Sequence, residues 1–533
     1  MCLFLFCFIY VQYLLSSAVS EFRAAHVNML GRLCKTISHN VRVSSRVPHT
    51  RINNSLLNFK KNSTGCAPCR LYTSNTSNVR TSAVASDNHV FEQTTDELDF
   101  EDAEKAFANK NILELLRSML VLRMCSYRVL VDNALKLMDL GHRILGQRLF
   151  TMIMKGSFYG HFVAGERSDV GKTVARLSSA GIGSMLHITA EDTSHIKSDS
   201  SENEQWYDEN AEKVLECLEL QLEHCDKSRP LVTHIKISSF INSELLKKVN
   251  HVLEENGRHF DNDTLVNYKN FAAGLDGNLQ PIPELSEEEN KLLSTALQRL
   301  NRLAQKSVDC NIAFMVDAEQ YNLRSAMAMI VVSMMSKFNR EKTLIWNTYQ
   351  AYLKETLSNI RRDVELAKKA NFGFGYKIVR GAYMENERRL ALKHGIEYPI
   401  NETYDDTSAM YNKCVEYSIK LIRDSPRGQF ITMVATHNEN SVRNAVALMK
   451  EAGIEKDSGQ LFFGQLLGMC DHVSYNLGDA GYLVYKSVPY GPIRDVMPNM
   501  SRRAAENKSV FARLDKEKKL VGQAFKKRML SLS

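Results

Sequence analysis

The sequence predicts an α/β fold, namely a (βα)8, TIM-like barrel with an N-terminal helical extension and a long helical insertion between its second and third strands. Eight short apolar runs alternate with helical or loop stretches between about residues 183 and 510, which is the alternation that a parallel barrel requires. Polar residues gather at the C-terminal ends of these runs, where such barrels carry their chemistry. No run is followed by a GxGxxG pattern, so an open dinucleotide-binding sheet is disfavoured.

Length, charge and cysteine content bound the class of protein. The chain of 533 residues is long enough for a barrel of about 250 to 350 residues with extensions. Its net charge is +7, but much of the basic excess lies in the first 80 residues. We therefore expect no nucleic-acid partner, which would need a basic stripe on a folded face. The 11 cysteines have no framework spacing and predict reduced thiols in an intracellular compartment. For the lone Cys66-x-x-Cys69 we expect neither a redox nor a metal role.

Residues 1–90 have the composition of a targeting segment. Met1 to Val19 is apolar and uncharged but lacks the basic start of a secretory signal. No Asp or Glu occurs between Phe22 and Ser86, where Arg, Lys and Ser recur, as they do in mitochondrial transit peptides. Our hypothesis is that translation begins at Met29 and that the apolar lead is an upstream extension. Nothing else in the sequence is long and apolar enough to span a bilayer.

Residues 95–180 predict a helical region ahead of the barrel. Leu113, Leu116, Leu120 and Met124 recur at intervals of three and four, which marks one face of a helix. His161, in the FYGHFVAGE segment that follows, is interpreted as a structural histidine.

The barrel is assigned to residues 183–510, and its eight apolar runs predict the strands. In chain order the runs are GSMLHIT (183–189), THIKISS (233–239), IAFMVDAEQ (312–320), LIWNTYQ (344–350), YKIVRGAY (376–383), FITMVATH (430–437), QLFFGQLL (460–467) and YLVYKSVP (482–489).

The connection between the second and third runs, about residues 241–310, is long for a barrel loop and predicts additional helices. Ser286-Glu-Glu-Glu289 has the pattern of a capping box. The acidic turns 261–263 and 276–278 do not match an EF-hand loop, so we interpret them as solvated turns and expect no metal site. Residues 511–533 predict a basic helical tail.

Residues 481–507 predict a strand, a tight turn and a helix, with Asp495 as the helix cap. Arg502 and Glu506 stand four residues apart, and Arg503 lies about 100° round the helix from Arg502. Two guanidiniums near a strand end suit a carboxylate, because each can bind it bidentately. An ordinary ion pair on a surface helix would give the same spacing.

This Arg-Arg-x-x-Glu run resembles the C-terminal signature of the proline dehydrogenases, flavin enzymes that oxidise L-proline to 1-pyrroline-5-carboxylate. The resemblance spans about residues 100–525 and implies that Arg502, Arg503 and Glu506 form the grip on the substrate carboxylate. Lys236 in HIKISS resembles the active-site lysine of the second strand. Asp317 in MVDAEQ resembles the aspartate of the third strand, which we expect to pair with Lys236 or with an arginine.

The resemblance also implies the substrate walls and an FAD site. Tyr383 and Leu466 are the walls of the pocket around the substrate ring. Two cations of the fifth run offset negative charge on the reduced flavin and its pyrophosphate, and small residues beside them let the backbone approach the cofactor. The implied FAD residues are Gln350, Lys377, Val379, Arg380, Gly381, Ala382, Thr436, His437 and Asn438.

Two positions depart from the family pattern. Ser487 stands where proline dehydrogenases usually place a tyrosine that closes the pocket, and His187 lies near the place of a first-strand aspartate. Hydroxyproline-oxidising relatives resemble this chain at Ser487, and a hydroxyl there can bond to a ring hydroxyl. Tyr490, three residues further on, is an alternative source of the missing aromatic ring.

The resemblance predicts FAD-dependent oxidation of L-proline as the first step of proline catabolism. Electrons pass to ubiquinone, and the enzyme is held peripherally on the matrix side of the inner mitochondrial membrane. The basic tail is a candidate surface for that contact, although a solvated helix has the same composition. Hydroxyproline dehydrogenase is the alternative that Ser487 favours. A flavin barrel reductase of the methylenetetrahydrofolate type gives no reason for the arginine pair, and a barrel without catalysis is disfavoured by the intact rim.

Overall fold

The structure, a computed structural model, describes residues 98–188, 200–261, 263–395, 397–506 and 515–531. The chain divides into two units, Met1–Asn88 and His89–Ser533, and all described residues belong to the second. The transit segment, Met29 and Cys66-x-x-Cys69 lie outside the described residues.

Eight parallel strands form one sheet. They are β1 (Ile182–Ile188), β2 (Leu231–Ile235), β3 (Ile312–Val316), β4 (Ile345–Gln350), β5 (Phe374–Val379), β6 (Phe430–Ala435), β7 (Leu461–Leu466) and β8 (Val484–Tyr490). Their order in the sheet is β1-β8-β7-β6-β5-β4-β3-β2. The two ends of this order meet where the Thr233 hydroxyl donates to the Leu186 carbonyl oxygen at 2.8 Å, so the sheet curls into a nearly closed barrel. All eight predicted runs contain a strand, and the predicted fold class is confirmed.

The barrel interior is filled by side chains from different strands. Met185, Val232, Met315, Trp346 and Phe462 belong to one buried cluster inside the barrel. A larger cluster lies between the strands and the surrounding helices. Strands buried on both faces give near-continuous apolar runs in the sequence, which is why all eight runs were visible there.

The second strand ends earlier than its run suggested. β2 stops at Ile235, and Ile237–Ser239 form a 3-10 turn. The Ser238 N–H and hydroxyl both donate to the buried carboxylate of Glu319, at 3.0 and 2.5 Å. The turn is therefore held against the end of β3.

Helices precede the barrel, surround it and follow it. Those ahead of β1 are α1 (Ala103–Ala106), α2 (Ile112–Cys125), α3 (Arg128–Asp132), α4 (Ala134–Gly156), α5 (Phe158–Phe162) and α6 (Val170–Ser178). Those after β1 are α7 (Ser200–His224), α8 (Ser243–Glu255), α9 (Tyr268–Leu275), α10 (Glu287–Asp309), α11 (Arg324–Phe338), α12 (Thr356–Ala370), α13 (Met384–His394), α14 (Tyr404–Arg423), α15 (Glu439–Glu451), α16 (Asp471–Asp479), α17 (Ile493–Glu506) and α18 (Asp515–Leu530).

Three helices, α8 to α10, occupy the connection between β2 and β3. Ser286 and Glu289 form the expected capping box at the start of α10. Asp261 pairs with Lys369 at 2.7 Å, and Asp276 pairs with Lys337, so both acidic turns are tied down by lysines.

The helix of the tail, α18, packs against the N-terminal helices. Leu520, Val521 and Ala524 are buried in one cluster with Leu115 and Leu122 of α2. The tail was a candidate membrane surface with a solvated helix as the alternative, and its buried apolar residues contact the protein itself.

The fourth helix, α4, leaves several of its apolar residues exposed to solvent. Met154 is the one buried residue among its 23, all of which are described. Leu140 and Ile144, one turn apart, are 42% and 65% exposed, and Lys136 and Arg143 beside them are also exposed. Within the described ranges, no helix is long and apolar enough to cross a bilayer.

Candidate active site

Three strands bring buried polar groups onto one carboxylate, that of Asp317. His234 of β2 places its Nδ1 at 3.0 Å from Asp317 Oδ2. Lys377 of β5 donates from Nζ to Asp317 Oδ1 at 2.5 Å. We expected Asp317 to pair with Lys236 or an arginine, but its partners among the described side chains are Lys377 and His234. Lys236 lies one residue beyond the end of β2.

The carboxyl group of Asp317 is ionised. Burial alone would raise the pKa of Asp317, but the Lys377 ammonium and the His234 ring, both hydrogen-bonded to it, hold this pKa well below its usual range. An ionised carboxylate accepts hydrogen bonds and donates none. Both neighbours therefore donate to it.

Ser487 of β8 extends this array. Its side chain is buried, and its Oγ lies 3.0 Å from Nε2 of His234. In the sheet Ser487 is level with Leu466 of β7 on one side and with Met185 of β1 on the other. Ser487 and the half-buried Leu466 are thus neighbours at the same end of the barrel.

Tyr490 does not replace the aromatic ring that Ser487 lacks. Its hydroxyl is placed against Cys217 of α7, and burial followed by that thiol raises the pKa of Tyr490. The ring belongs to the cluster between strands and helices. The space beside Ser487 is therefore not filled by Tyr490.

A pocket opens at the ends of β1 and β2. Its lining residues are His187, Ile188, Val214, His234, Ile235, Lys236, Ser239, Phe240, Asp317 and Asn499. The rings of His187 and His234 lie with their centroids 4.1 Å apart. Lys236 therefore shares a pocket with Asp317, although the two do not form the expected pair.

Asn499 brings the last barrel helix, α17, to this pocket. Arg502 and Arg503 stand three and four residues further along the helix, which puts their positions on the face that carries Asn499. The side chains of Arg502, Arg503 and Glu506 lie outside the described residues. Asp495 falls in the first turn of α17 and not at its cap, because the helix begins at Ile493.

The implied flavin residues of β4 and β5 lie side by side. Gln350 and Val379 are level in the sheet, and the Gln350 amide Nε2 donates to the Glu319 carbonyl oxygen at 2.8 Å. Lys377, expected to face the flavin, lies in the same strand and is bound to Asp317.

Arg380 is anchored between β5, β6 and two helices. Its Nη1 donates to Thr436 Oγ1 at 2.6 Å and its Nη2 to Ser441 Oγ at 2.9 Å. The guanidinium stacks over the Tyr411 ring at 4.4 Å. Its Nε is buried and lacks a hydrogen-bond partner within the described residues, so one donor of Arg380 is left for a ligand.

Gly381 is required by the packing of the protein itself. Its φ of +117° lies in the region that favours glycine, and a Cβ there would come within 1.8 Å of the Tyr352 ring. The absence of a Cβ thus makes room for the Tyr352 ring, and the close approach of the cofactor to this backbone stays a prediction. Ala382 and Tyr383 follow, both half-buried, and Tyr383 packs on Tyr352 and Leu353.

Thr436, His437 and Asn438 form a connected rim at the end of β6. Asn438 caps α15 by accepting from the Ser441 N–H at 3.0 Å. The Leu466 N–H donates to His437 Nε2 at 3.1 Å, which places the proton of the neutral ring on Nδ1. Burial, then the nearby charges of Lys486 and Arg380, lower the pKa of His437 to about 3. His437 is therefore a neutral ring at physiological pH.

These rim residues fit an FAD molecule by their chemistry. The unpaired Nε of Arg380 and the Nδ1 proton of His437 are donors suited to an electron-rich ring system or a diphosphate. Lys377, inside β5, and Arg380, directly after its end, supply positive charge on one strand.

Three residues of the site were missed by reasoning from the sequence. His234 was overlooked because attention in that strand went to Lys236. Its position two residues before the lysine, which puts both side chains on the same face of the strand, was a usable signal. Glu319 lies in the third run, IAFMVDAEQ, and no role was assigned to it from the sequence. Asn499 carried no signal, because nothing in the sequence places α17 over β2.

Comparisons with known proteins agree on one family. The family model described as proline dehydrogenase matches residues 170–516. The chain is 38% identical over 427 residues to the hydroxyproline dehydrogenase of Xenopus laevis, covering 80% of this chain and 89% of that protein. It is 37% identical over 435 residues to the Homo sapiens hydroxyproline dehydrogenase, covering 80% and 92%. It is 32% identical over 535 residues to the mitochondrial proline dehydrogenase 1 of Homo sapiens, covering 80% and 88%.

A solved structure supports the fold. Proline utilization A from Bdellovibrio bacteriovorus superposes with a TM-score of 0.53 at 18% identity, covering 80% of this chain and 39% of that one. At this identity the likeness concerns the barrel fold alone.

Proposed function

From the premise that this chain belongs to the proline dehydrogenase family, we propose that it oxidises the ring C–N bond of a proline-type substrate with FAD as the electron acceptor. The observation that carries the proposal is the pocket in which Lys236, Asp317 and Asn499 meet. It joins a strand-end cation to the helix that bears Arg502 and Arg503.

Each residue has a stated task in this proposal. Lys236, Arg502 and Arg503 bind the substrate carboxylate and fix the ring beside the flavin. Glu506 orients one guanidinium, and Asp317 holds Lys377 and His234 in place. The walls Tyr383 and Leu466 exclude water.

The cofactor rests on the rim residues of β4, β5 and β6. Gln350, the run from Lys377 to Ala382 and the run from Thr436 to Asn438 would hold it. When bound, FAD supplies the acceptor for the two electrons of the ring C–H bond, and the product is the cyclic imine.

Two substrates fit, and one observation favours the second. L-Proline, which would give 1-pyrroline-5-carboxylate, is the substrate that the name of the family states. Ser487 replaces an aromatic ring by a hydroxyl at the substrate wall beside Leu466, and the two hydroxyproline dehydrogenases above are more similar to this chain than the proline dehydrogenase is. We infer that 4-hydroxyproline is the better substrate.

We further infer that reduced flavin passes electrons to ubiquinone and that the protein sits on the matrix side of the inner mitochondrial membrane. The curated relatives include proteins named as mitochondrial. The exposed leucine and isoleucine of α4, flanked by Lys136 and Arg143, are the surface best suited to a peripheral contact with anionic lipid.

The reaction is tested with purified, FAD-loaded protein under anaerobic conditions. Adding trans-4-hydroxyproline or proline should bleach the flavin absorbance, and a quinone added later should restore it. Arg502→Met and Arg503→Met should each raise KM about tenfold or more, because a charge-assisted contact to the carboxylate is lost. Arg494→Met in the same helix, whose side chain is 87% exposed, is the matched control. Absence of bleaching with both substrates would contradict the proposal.

A further inference from the structure

We propose that His234 fixes the direction of the Ser487 hydroxyl, so that Ser487 accepts a hydrogen bond from a substrate that carries a hydroxyl on its ring. The inference rests on the proposed function and deepens it. His234 is then a positioning residue for substrate selectivity that acts through Ser487.

The tautomer of His234 is determined by Asp317. Asp317 is an ionised carboxylate and can only accept. The His234 Nδ1 atom, 3.0 Å from Asp317 Oδ2, must therefore carry a proton. In a neutral imidazole the other nitrogen, Nε2, is then an acceptor.

His234 in turn determines the direction of the Ser487 hydroxyl. Ser487 Oγ lies 3.0 Å from the Nε2 acceptor, so its proton points at His234. What remains on Oγ toward the pocket is a pair of acceptor sites. The histidine thus turns a group that can donate or accept into one that accepts.

The position of Ser487 in the barrel puts this acceptor beside the proposed substrate wall. It is level with Leu466 of the neighbouring strand, which is the proposed wall of the substrate ring. A substrate hydroxyl donates to such an acceptor. A fluorine of similar size cannot, because it carries no proton and presents its own lone pairs to those of Oγ.

Protonation of His234 would reverse the direction of its hydrogen bond with Ser487. Nε2 would then donate to Ser487 Oγ, and the serine proton would be free to point into the pocket. The charged and titratable groups that face His234 are Asp317 on the end of β3, Lys377 of β5 acting through Asp317, His187 on β1, and Lys236 in the same pocket.

The test compares trans-4-hydroxyproline with trans-4-fluoroproline as substrates of the FAD-loaded protein. The wild-type ratio of kcat/KM should favour the hydroxyl by about tenfold or more, because the fluorinated ring leaves a buried acceptor unsatisfied. His234→Leu and Ser487→Ala should each lower this ratio, and the two variants should reach a similar value. Since fluorine also changes the reactivity of the ring nitrogen, each variant is judged by its ratio relative to that of the wild type.

A control and a pH series complete the experiment. Ser184→Ala removes a buried hydroxyl from the adjacent strand β1 and should leave the ratio unchanged. The wild-type ratio should fall as the pH is lowered, because a proton added to Nε2 of His234 turns that atom from an acceptor into a donor, and Ser487→Ala should abolish that pH dependence, which serves as the decisive readout if His234→Leu does not fold.

Two results would overturn the inference. The first is a wild-type ratio that does not move with pH and is unchanged in His234→Leu, whether or not Ser487→Ala alters it. The second is a wild-type preference for the fluorinated ring. Failure of the proposed function is a different result, in which the wild type oxidises neither proline nor trans-4-hydroxyproline.

Discussion

Asp471 is a buried charge that holds the rim of the candidate site in place. It lies between two lysines, with Lys110 Nζ at 2.6 Å and Lys486 Nζ at 2.8 Å. Burial alone would raise the pKa of Asp471, but the two ammonium groups hold it well below its usual range. Lys486 is fully buried and also donates to the carbonyl oxygens of Leu466 and Met469. The proposed substrate wall is thus fixed from behind by a buried ion cluster.

Replacing Asp471 by Asn should destabilise the fold strongly. The two lysines would remain buried without a counter-charge, and removing one partner of a buried ion pair costs about 3 to 5 kcal/mol. Urea denaturation measures the free energy of unfolding of the variant. Asp479→Asn, which breaks an exposed pair with Lys105, is the control and should cost less than about 1 kcal/mol. Equal losses in the two variants would contradict the role of the buried cluster.

His161 should make the protein sensitive to acid. Burial, followed by the charge of Lys110, lowers the pKa of His161 to about 3, and the ring binds the Gly468 carbonyl oxygen at 2.8 Å. The unfolded chain takes up a proton below about pH 6.5, whereas the folded protein does not until about pH 3. Stability is therefore lost as the pH falls through this window, by about 2 kcal/mol from this group between about pH 7 and pH 5.

The variant His161→Gln tests this linkage. Glutamine retains an N–H donor for the Gly468 carbonyl oxygen but does not titrate. Free energies of unfolding measured from pH 7 to pH 5 should fall less steeply in the variant than in the wild type. Parallel curves for the two proteins would show that His161 does not contribute.

At the scale of elements, two amphipathic helices met different fates. Both α4 and α18 combine apolar and basic residues, and from the sequence the tail was a candidate for the membrane surface, with a solvated helix as the alternative. The tail buries its apolar residues against α2, whereas α4 keeps Leu140 and Ile144 in solvent. Composition and spacing reveal an apolar helix face but not whether protein or lipid covers it.

The membrane contact proposed for α4 has a direct test. The double variant Leu140→Ser, Ile144→Ser should reduce co-sedimentation with vesicles rich in phosphatidylglycerol, because it removes the apolar face between Lys136 and Arg143. Leu392→Ser, which changes a leucine that is 75% exposed on α13, should leave binding unchanged. Binding that survives the double variant would remove α4 from the proposal.

At the scale of the whole molecule, the sequence revealed the barrel and only part of the site. The strands were visible because each is buried on both faces, and the resemblance pointed to Lys236, Asp317 and Ser487 individually. The contact through which His234 joins Asp317 to Ser487 was not visible, since His234 and Ser487 are 253 positions apart in the chain. Only closure of the barrel brings β2 near β8, and the level of each residue along its strand decides which side chains touch.

The pairing of Asp317 illustrates the same limit. The resemblance gave Lys236 as an expected partner of Asp317, yet Lys377 of β5 is the lysine that donates to the Asp317 carboxylate. Charge type was predictable from the sequence, whereas the partner depended on which inward positions of three strands share a level.

The most direct test of the central claim is the ratio of kcat/KM for trans-4-hydroxyproline to that for proline, measured on the purified, FAD-loaded protein with a soluble quinone. The account predicts a ratio clearly above one, because Ser487 at the substrate wall offers an acceptor to the ring hydroxyl and no aromatic ring closes over it. A ratio below one would contradict it, and would mean that the pocket accepts the unsubstituted ring in spite of Ser487.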